Sequence, residues 1–209
     1  MNETLYNYKI IKMIQDYIIY EGEIFKKYKF DFNTNTVIGK RNKKPLTLTL
    51  GPTGYYRVNL ESDDSTKKDR KNVFSQYHRV VYQQYYPNDD IKGDGMFNKI
   101  EIDHIDRNPI NNDISNLRSV TNCQNQANKN KCVKPTTSKY IGISYCKRDG
   151  REPRWDSSIN VETNRYRKFF KSEFEALKWR NNKIIELGVQ EYYEIQPWIK
   201  KQVVIKKKN

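Results

Sequence analysis

Asp103 and His104 are adjacent, and Asn116 and Asn125 follow 12 and 21 residues after the histidine. A carboxylate is a hard oxygen ligand suited to Mg²⁺ or Mn²⁺. An imidazole titrates near neutrality and can take a proton from water. Phosphodiester hydrolysis needs both functions: a deprotonated water, and charge stabilisation on the phosphate and the leaving 3′ oxygen, which a divalent ion supplies. The chain has two histidines, His78 and His104, so the choice of base is narrow. Asn125 offers a second oxygen through its amide carbonyl, with Asn112, Asn122 and Asn128 as rivals in a chain of 22 asparagines. Asn116 is expected to brace the intervening loop by bonding its backbone, which keeps His104 aimed. His78 is expected in a helix, packed or bonded near the site.

Holding these groups together takes a strand, a loop, a second strand and a helix. Lys99–Asp103 alternates as a strand, Leu117–Val120 reads as a second one, and Thr121 opens a helix with Gln124 completing a capping box. Neighbours on a strand point to opposite faces, so Asp103 and His104 share a site only if the strand ends or bends there. Upstream, residues 46–50 and 55–60 alternate around the turn Gly51-Pro-Thr-Gly54, a β-hairpin pattern. Phe74–Tyr86 reads as a helix ended by Pro87. Residues 61–72 and 87–96 read as loops. Leu5–Tyr20 fits a helix or a pair of short strands, with strands favoured after Tyr17.

At these residues the chain resembles the HNH endonucleases, or ββα-metal nucleases, in the branch of phage, intron-encoded and large-virus homing endonucleases. The resemblance covers residues 46–131. Tyr77-His78-Arg-Val-Val-Tyr-Gln-Gln-Tyr-Tyr-Pro87 looks like the helix preceding the metal unit, and Asn111-Asn112-Asp-Ile-Ser-Asn116-Leu like its central loop. The resemblance implies Asp103 as first metal ligand and His104 as general base. It implies Asn116 as the loop-bracing residue and Asn125 at the third signature position, where this branch often has Asn in place of His. It further implies one Mg²⁺ or Mn²⁺ ion per site. The family's CxxC zinc supports are absent.

A second pattern follows. Tyr140–Cys146, Arg154–Val161 and Arg165–Phe170 read as strands joined by turns at 148–151 and 162–164. Ser172-Glu-Phe-Glu175 is a capping box. The helix after it is expected to place Phe174, Leu177, Ile184 and Ile185 on one face and to stop at Gly188. On the middle strand, Trp155, Ile159 and Val161 fall on one face; Arg154, Asp156, Ser158 and Asn160 fall on the other. A β-ribbon fits a major groove, and Arg reads guanine bidentately. Ser138-Lys-Tyr-Ile-Gly142-Ile, Trp155 and Ser172-Glu-Phe-Glu-Ala176 resemble the plant ethylene-response-factor (apetala-type) DNA-binding domain. The resemblance implies a sheet in the major groove backed by a helix. Candidate contacts are Arg148, Arg151, Arg154, Arg165 and Arg167, with Lys147 and Lys168 on phosphate.

The bulk composition agrees. The 209 residues carry a formal net charge of +14, with 18 Lys and Arg against 9 Asp and Glu in residues 132–209. Such an excess points to a polyanionic partner, here double-stranded DNA. Three cysteines form no metal or disulfide framework. No apolar run is long enough to span a bilayer, so no membrane partner is expected and the expected compartment is intracellular, in a bacterial or in a phage- or virus-infected host cell. The expected state is a monomer.

The expected fold class is α+β: a ββα-metal unit with a preceding β-hairpin and helix, then a three-stranded antiparallel sheet with one helix. The expected organisation is a β-rich extension (1–45), a nuclease domain (46–131), a linker (132–138), a DNA-binding domain (139–189) and a basic tail (190–209). The activity this supports is metal-dependent cleavage of DNA with site recognition by the C-terminal module. The rival readings are a non-cleaving DNA-binding regulator and an RNA-directed protein.

Overall fold

The structure, a computed structural model, describes residues 14–63, 72–91, 100–129, 137–147, 152 and 154–199. The chain divides into two compact units, Met1–Asn122 and Cys123–Asn209. The fold is mixed α+β, built from small antiparallel sheets and few helices.

In the first unit, β1 (Ile14–Gln15), β4 (Tyr28–Asp31) and β5 (Thr36–Gly39) form one sheet, and β2 (Ile18–Tyr20) pairs with β3 (Glu23–Phe25) as a hairpin. The β2–β3 loop has two residues, Glu21 and Gly22, both at positive φ (50° and 81°). That is the turn whose twist matches paired strands, and glycine takes the second position without strain. The strands favoured after Tyr17 are present. A third sheet holds β6 (Thr49–Leu50), β7 (Tyr56–Glu61) and β8 (Asn72–Gln76), and helix α1 (Tyr77–Tyr85) follows directly. Strand β9 (Glu101–His104) pairs with β10 (Leu117–Val120), across a loop that ends in a 3-10 turn at Ile114–Asn116.

Several boundaries differ from the sequence expectation. The helix begins at Tyr77 rather than Phe74, because residues 72–76 pair along β7 from Glu61↔Asn72 to Arg57↔Gln76. Phe74 points outward and Ser75 inward, a period of two. The first arm of the expected hairpin shortens to Thr49–Leu50, which are both exposed. Strand β9 runs on through His104, whereas the expected strand stopped at Asp103; Lys99, its expected start, lies outside the described residues.

One hydrophobic core joins Ile18, Phe25, Phe30 and Val37 to Val58, Leu60, Val80, Val81, Ile102 and Leu117. Residues before position 46 thus share a core with the strands and helix that carry the candidate site. Helix α1 is buried on nearly every side, and its polar residues are matched accordingly. Gln84 Oε1 accepts from the Ile19 backbone N–H (3.0 Å) and Gln84 Nε2 donates to the Ile19 carbonyl (2.6 Å). Gln83 Oε1 accepts from the Glu21 N–H (2.7 Å). Two side-chain amides therefore do for the β2 hairpin what a neighbouring strand would do.

In the second unit, β11 (Ile143–Cys146), β12 (Arg154–Val161) and β13 (Asn164–Phe170) form an antiparallel sheet in that order, followed by helix α3 (Glu173–Glu186). Strand β11 is shorter than expected, because Tyr140 belongs to the core and not to the ladder. Ser172 caps α3 by accepting from Glu175 N–H, and Gly188 follows its end at φ +67°. The buried stripe of α3 is Ala176, Leu177, Arg180 and Ile184. Phe174 and Ile185, expected on that face, are 48% and 55% exposed. They flank the stripe, and Phe174 meets Trp198 edge-on instead. Gly142 sits at φ +73°, where a Cβ would lie 2.5 Å from the Ser158 carbonyl and 2.9 Å from Arg180 Nε. No other residue fits there. Residues 190–199, expected to begin a basic tail, pack onto this unit: Tyr193 and Gln196 are buried and Trp198 stacks on Tyr140. Residues 200–209 lie outside the described residues.

Candidate active site

The β9–β10 register sets Leu117 opposite His104 and Arg118 opposite Asp103. All four candidate groups of the first unit are buried: His78 3% exposed, His104 4%, Asp103 7% and Asn116 8%. His104 closes a cluster of three rings. Its centroid lies 4.8 Å from His78 on α1 and 5.7 Å from Tyr55, and Tyr55 lies 5.1 Å from His78. Asn112 Oδ1 is 3.1 Å from His104 Nε2, and Asn112 Nδ2 faces the Ile110 carbonyl. With the Asn112 oxygen facing the ring, Nε2 is the donor in this contact.

Asn116 spans the loop with hydrogen bonds. Asn116 Oδ1 accepts from the Asp106 N–H (3.0 Å), and Asn116 Nδ2 donates to Asp106 Oδ1 (2.9 Å) and to the Asn111 carbonyl (2.8 Å). The Ile105 N–H donates to the Asn116 carbonyl. Although burial opposes it, hydrogen bonds from Asn111, the Asn108 backbone and Asn116 hold the Asp106 carboxyl below the usual carboxylate range. This bridge ties the residues just after His104 to those just before β10. The sequence signal for Asp106 and Asn111 is only their place inside or beside the loop string.

Asp103 is partnered. Arg118 donates to its Oδ2 through Nε (3.1 Å) and Nη2 (3.0 Å). Tyr55 senses the same carboxylate: burial raises its phenol pKa, and the charges of Asp103 and Glu101 raise it further. The structure thus brings Asp103, His104 and Asn116 into one hairpin. Asn125 lies on the short helix α2 (Asn122–Ala127) and belongs to the second unit.

His78 has a different part from the one a histidine near an active site suggests. Burial first, then the neighbouring His104 and Arg79, push its pKa down to about 3. Its Nδ1 has no hydrogen-bond partner. It is a neutral wall of the ring cluster. A depressed pKa means that its contribution to stability is present above the ordinary histidine range and is lost as pH falls towards 3. Acid titration of the folded protein should therefore lose stability below about pH 6.5, approaching about 1.4 kcal/mol per pH unit from this one proton. His78→Gln should remove that share of the slope in melts taken between pH 6.5 and 4, and an unchanged slope would disprove it.

In the sheet of the second unit, the ladder places Asp156, Ser158 and Asn160 opposite Phe169, Arg167 and Arg165. These six and Arg154 form the face away from α3. Arg154 lies over the Phe169 ring at 4.0 Å and Arg167 at 4.8 Å. Arg167 Nε also donates to both oxygens of Asp156 (2.9 and 3.1 Å). Lys168 falls on the opposite side, with Phe170, while Lys147 is exposed after β11. Arg148 and Arg151 lie outside the described residues.

Residues 75–127 match the family model of the HNH endonucleases. The matched segment contains His78, Asp103, His104, Asn116 and Asn125, but not Tyr55. Among solved structures, the chain is similar to the HNH homing endonuclease I-HmuI, in a study of its DNA binding and cleavage. The identity is 29% over 45% of this chain and 46% of that one, with a TM-score of 0.32. The chain therefore spans less than half the length of that protein. No curated protein matches the chain. Among the described residues, no helix is long and apolar enough to cross a membrane.

Proposed function

We propose that the chain is a metal-dependent endonuclease of the homing kind that hydrolyses phosphodiester bonds in double-stranded DNA. The observation that carries this reading is the buried Asp103–His104 pair, with His104 Nε2 engaged by Asn112, inside the HNH segment. In this reading His104 takes the proton of the attacking water, and the Asn112 contact at Nε2 orients the ring. Asn116 holds the loop that keeps His104 in place. Asp103 and Asn125 are the metal ligands.

The donor chemistry fits Mg²⁺ or Mn²⁺. Among the described residues no three His, Cys, Asp or Glu gather as a metal cage. One carboxylate and amide oxygens, completed by water and DNA phosphate, form the hard oxygen set that Mg²⁺ takes at phosphate-handling sites. When bound, the ion stabilises charge on the phosphate and the leaving oxygen.

The second unit holds the duplex through the face that carries Arg154, Arg165 and Arg167, with Arg148 and Arg151 as further candidate contacts and Lys147 on phosphate, as the apetala-type resemblance implies; Lys168, on the helix side of the sheet, is not part of that face. If Arg154 reads a base, Arg154→Ala should cost roughly 1–3 kcal/mol on a preferred site and little on random duplex. Lys147→Ala should weaken all duplexes alike and reduce the salt slope of the binding constant by about one unit. Anisotropy titrations over several salt concentrations separate the two effects, and equal losses for Arg154→Ala on both duplexes would remove the base-reading role.

Purified protein with Mg²⁺ and supercoiled plasmid should yield nicked or linear product. Intact plasmid alongside tight duplex binding would select the non-cleaving regulator.

A further inference from the structure

The Arg118–Asp103 contact goes beyond what hydrolysis requires. Asp103 is the one carboxylate assigned to the ion, yet a guanidinium already rests on it. The pair is directly cross-strand on β9 and β10, so the hairpin register presents the two side chains to each other. Two N–H groups of Arg118 converge on one oxygen, Oδ2, at 3.1 and 3.0 Å. The side chains are only 13% and 8% exposed, so water screens the attraction weakly. A buried carboxylate with no counter-charge would be costly in a metal-free protein. Arginine suits this place because it stays charged under all working conditions.

We infer that Arg118 is a tethered counter-cation for Asp103, which competes with the divalent ion for that carboxylate and keeps the metal affinity of the DNA-free protein low. The inference rests on the reading of Asp103 as a metal ligand. A positive charge held against Oδ2 repels a dication approaching the same group. It also withdraws one oxygen's lone pairs from coordination. The DNA-free protein consequently stores its site as an ion pair instead of a bound metal.

The sign of one measurement decides between this role and simple bracing. A partner that only orients a ligand lowers metal affinity by about 10–100-fold when it is removed. A competitor raises affinity when removed. Mn²⁺ binding to the full chain, followed by the resonance of the free ion without DNA, should therefore be at least about tenfold tighter in Arg118→Met than in wild type. The metal-free variant should melt lower than wild type and regain more on adding Mn²⁺. If Arg118→Met does not fold, Arg118→Gln, which keeps an amide donor without the charge, should shift affinity in the same direction. Equal or weaker Mn²⁺ binding in the folded variant overturns the role given to Arg118. Asp103→Asn is the separate control. It should lose Mn²⁺ binding, and wild-type affinity there would overturn the ligand assignment itself, and this inference with it.

Discussion

Replacing His104 with alanine is expected to lower plasmid cleavage by about 10²–10⁴-fold while duplex affinity stays at the wild-type value. The expectation follows from the ring's surroundings. His104 is buried, its Nε2 faces Asn112, and the nearest titratable ring, His78, is held neutral by burial. His78 has a pKa of about 3, too low to accept a proton efficiently from water near neutral pH. No third histidine exists to replace the lost base. Alanine also removes a ring from the cluster with Tyr55 and His78, so a companion change is needed. His104→Gln keeps a polar side chain able to donate to Asn112 but has no basic nitrogen. Both variants should be inactive, and only alanine should melt markedly lower. Cleavage near the wild-type rate by the glutamine variant would remove His104 from proton transfer. Asn116→Ala gives the contrasting pattern. It strands the Asp106 N–H and the Asn111 carbonyl, so a loss of stability of about 2–4 kcal/mol should accompany any loss of activity.

The parts legible in the sequence were those with local causes. The β10 strand, the β12 strand, the Ser172 cap and the Gly188 stop follow from alternation and capping chemistry read within a few residues. The Asn116 brace was legible because an asparagine in a tight polar loop has few partners other than backbone. What stayed hidden depends on pairing across long separations. Residues 72–76 look helical until β7 supplies a ladder partner. Gln83 and Gln84 look like ordinary helix-surface residues, yet they complete the hydrogen bonds of β2, more than 60 positions earlier. Tyr55 reads only as a strand start and Arg118 only as a polar position in β10; ring packing sets Tyr55 beside His104, and the β9–β10 register sets Arg118 opposite Asp103. Arg180 belongs to the buried stripe of α3, where a charged residue is not expected, and lies against Gly142. The same alternation on β12 identified the outward row, but it did not show that Arg167 is engaged by Asp156.

Asp103→Ala is expected to lower divalent-ion-dependent cleavage by at least about 10³-fold, with no recovery at higher Mg²⁺. The carboxylate is the only charged group among the assigned ligands, so nothing else in the set can replace its attraction for a dication. Alanine also leaves the Arg118 guanidinium without its partner at a site where both side chains are nearly buried, and such a break typically costs about 3–5 kcal/mol. Loss of activity in Asp103→Ala alone would therefore mix two causes. Asp103→Asn separates them. Its amide oxygen can still accept from Arg118, so the hairpin should stay paired while the ligand's charge is gone. The expected result is a melting temperature closer to wild type and cleavage nearly as low as in the alanine variant. Asn125→Ala should act in the same direction but more weakly, since it removes a neutral amide oxygen. Metal titrations of cleavage on supercoiled plasmid check all three variants. If Asp103→Asn cut plasmid as fast as wild type across the titration, Asp103 would be a structural partner of Arg118, and the divalent ion would need another ligand.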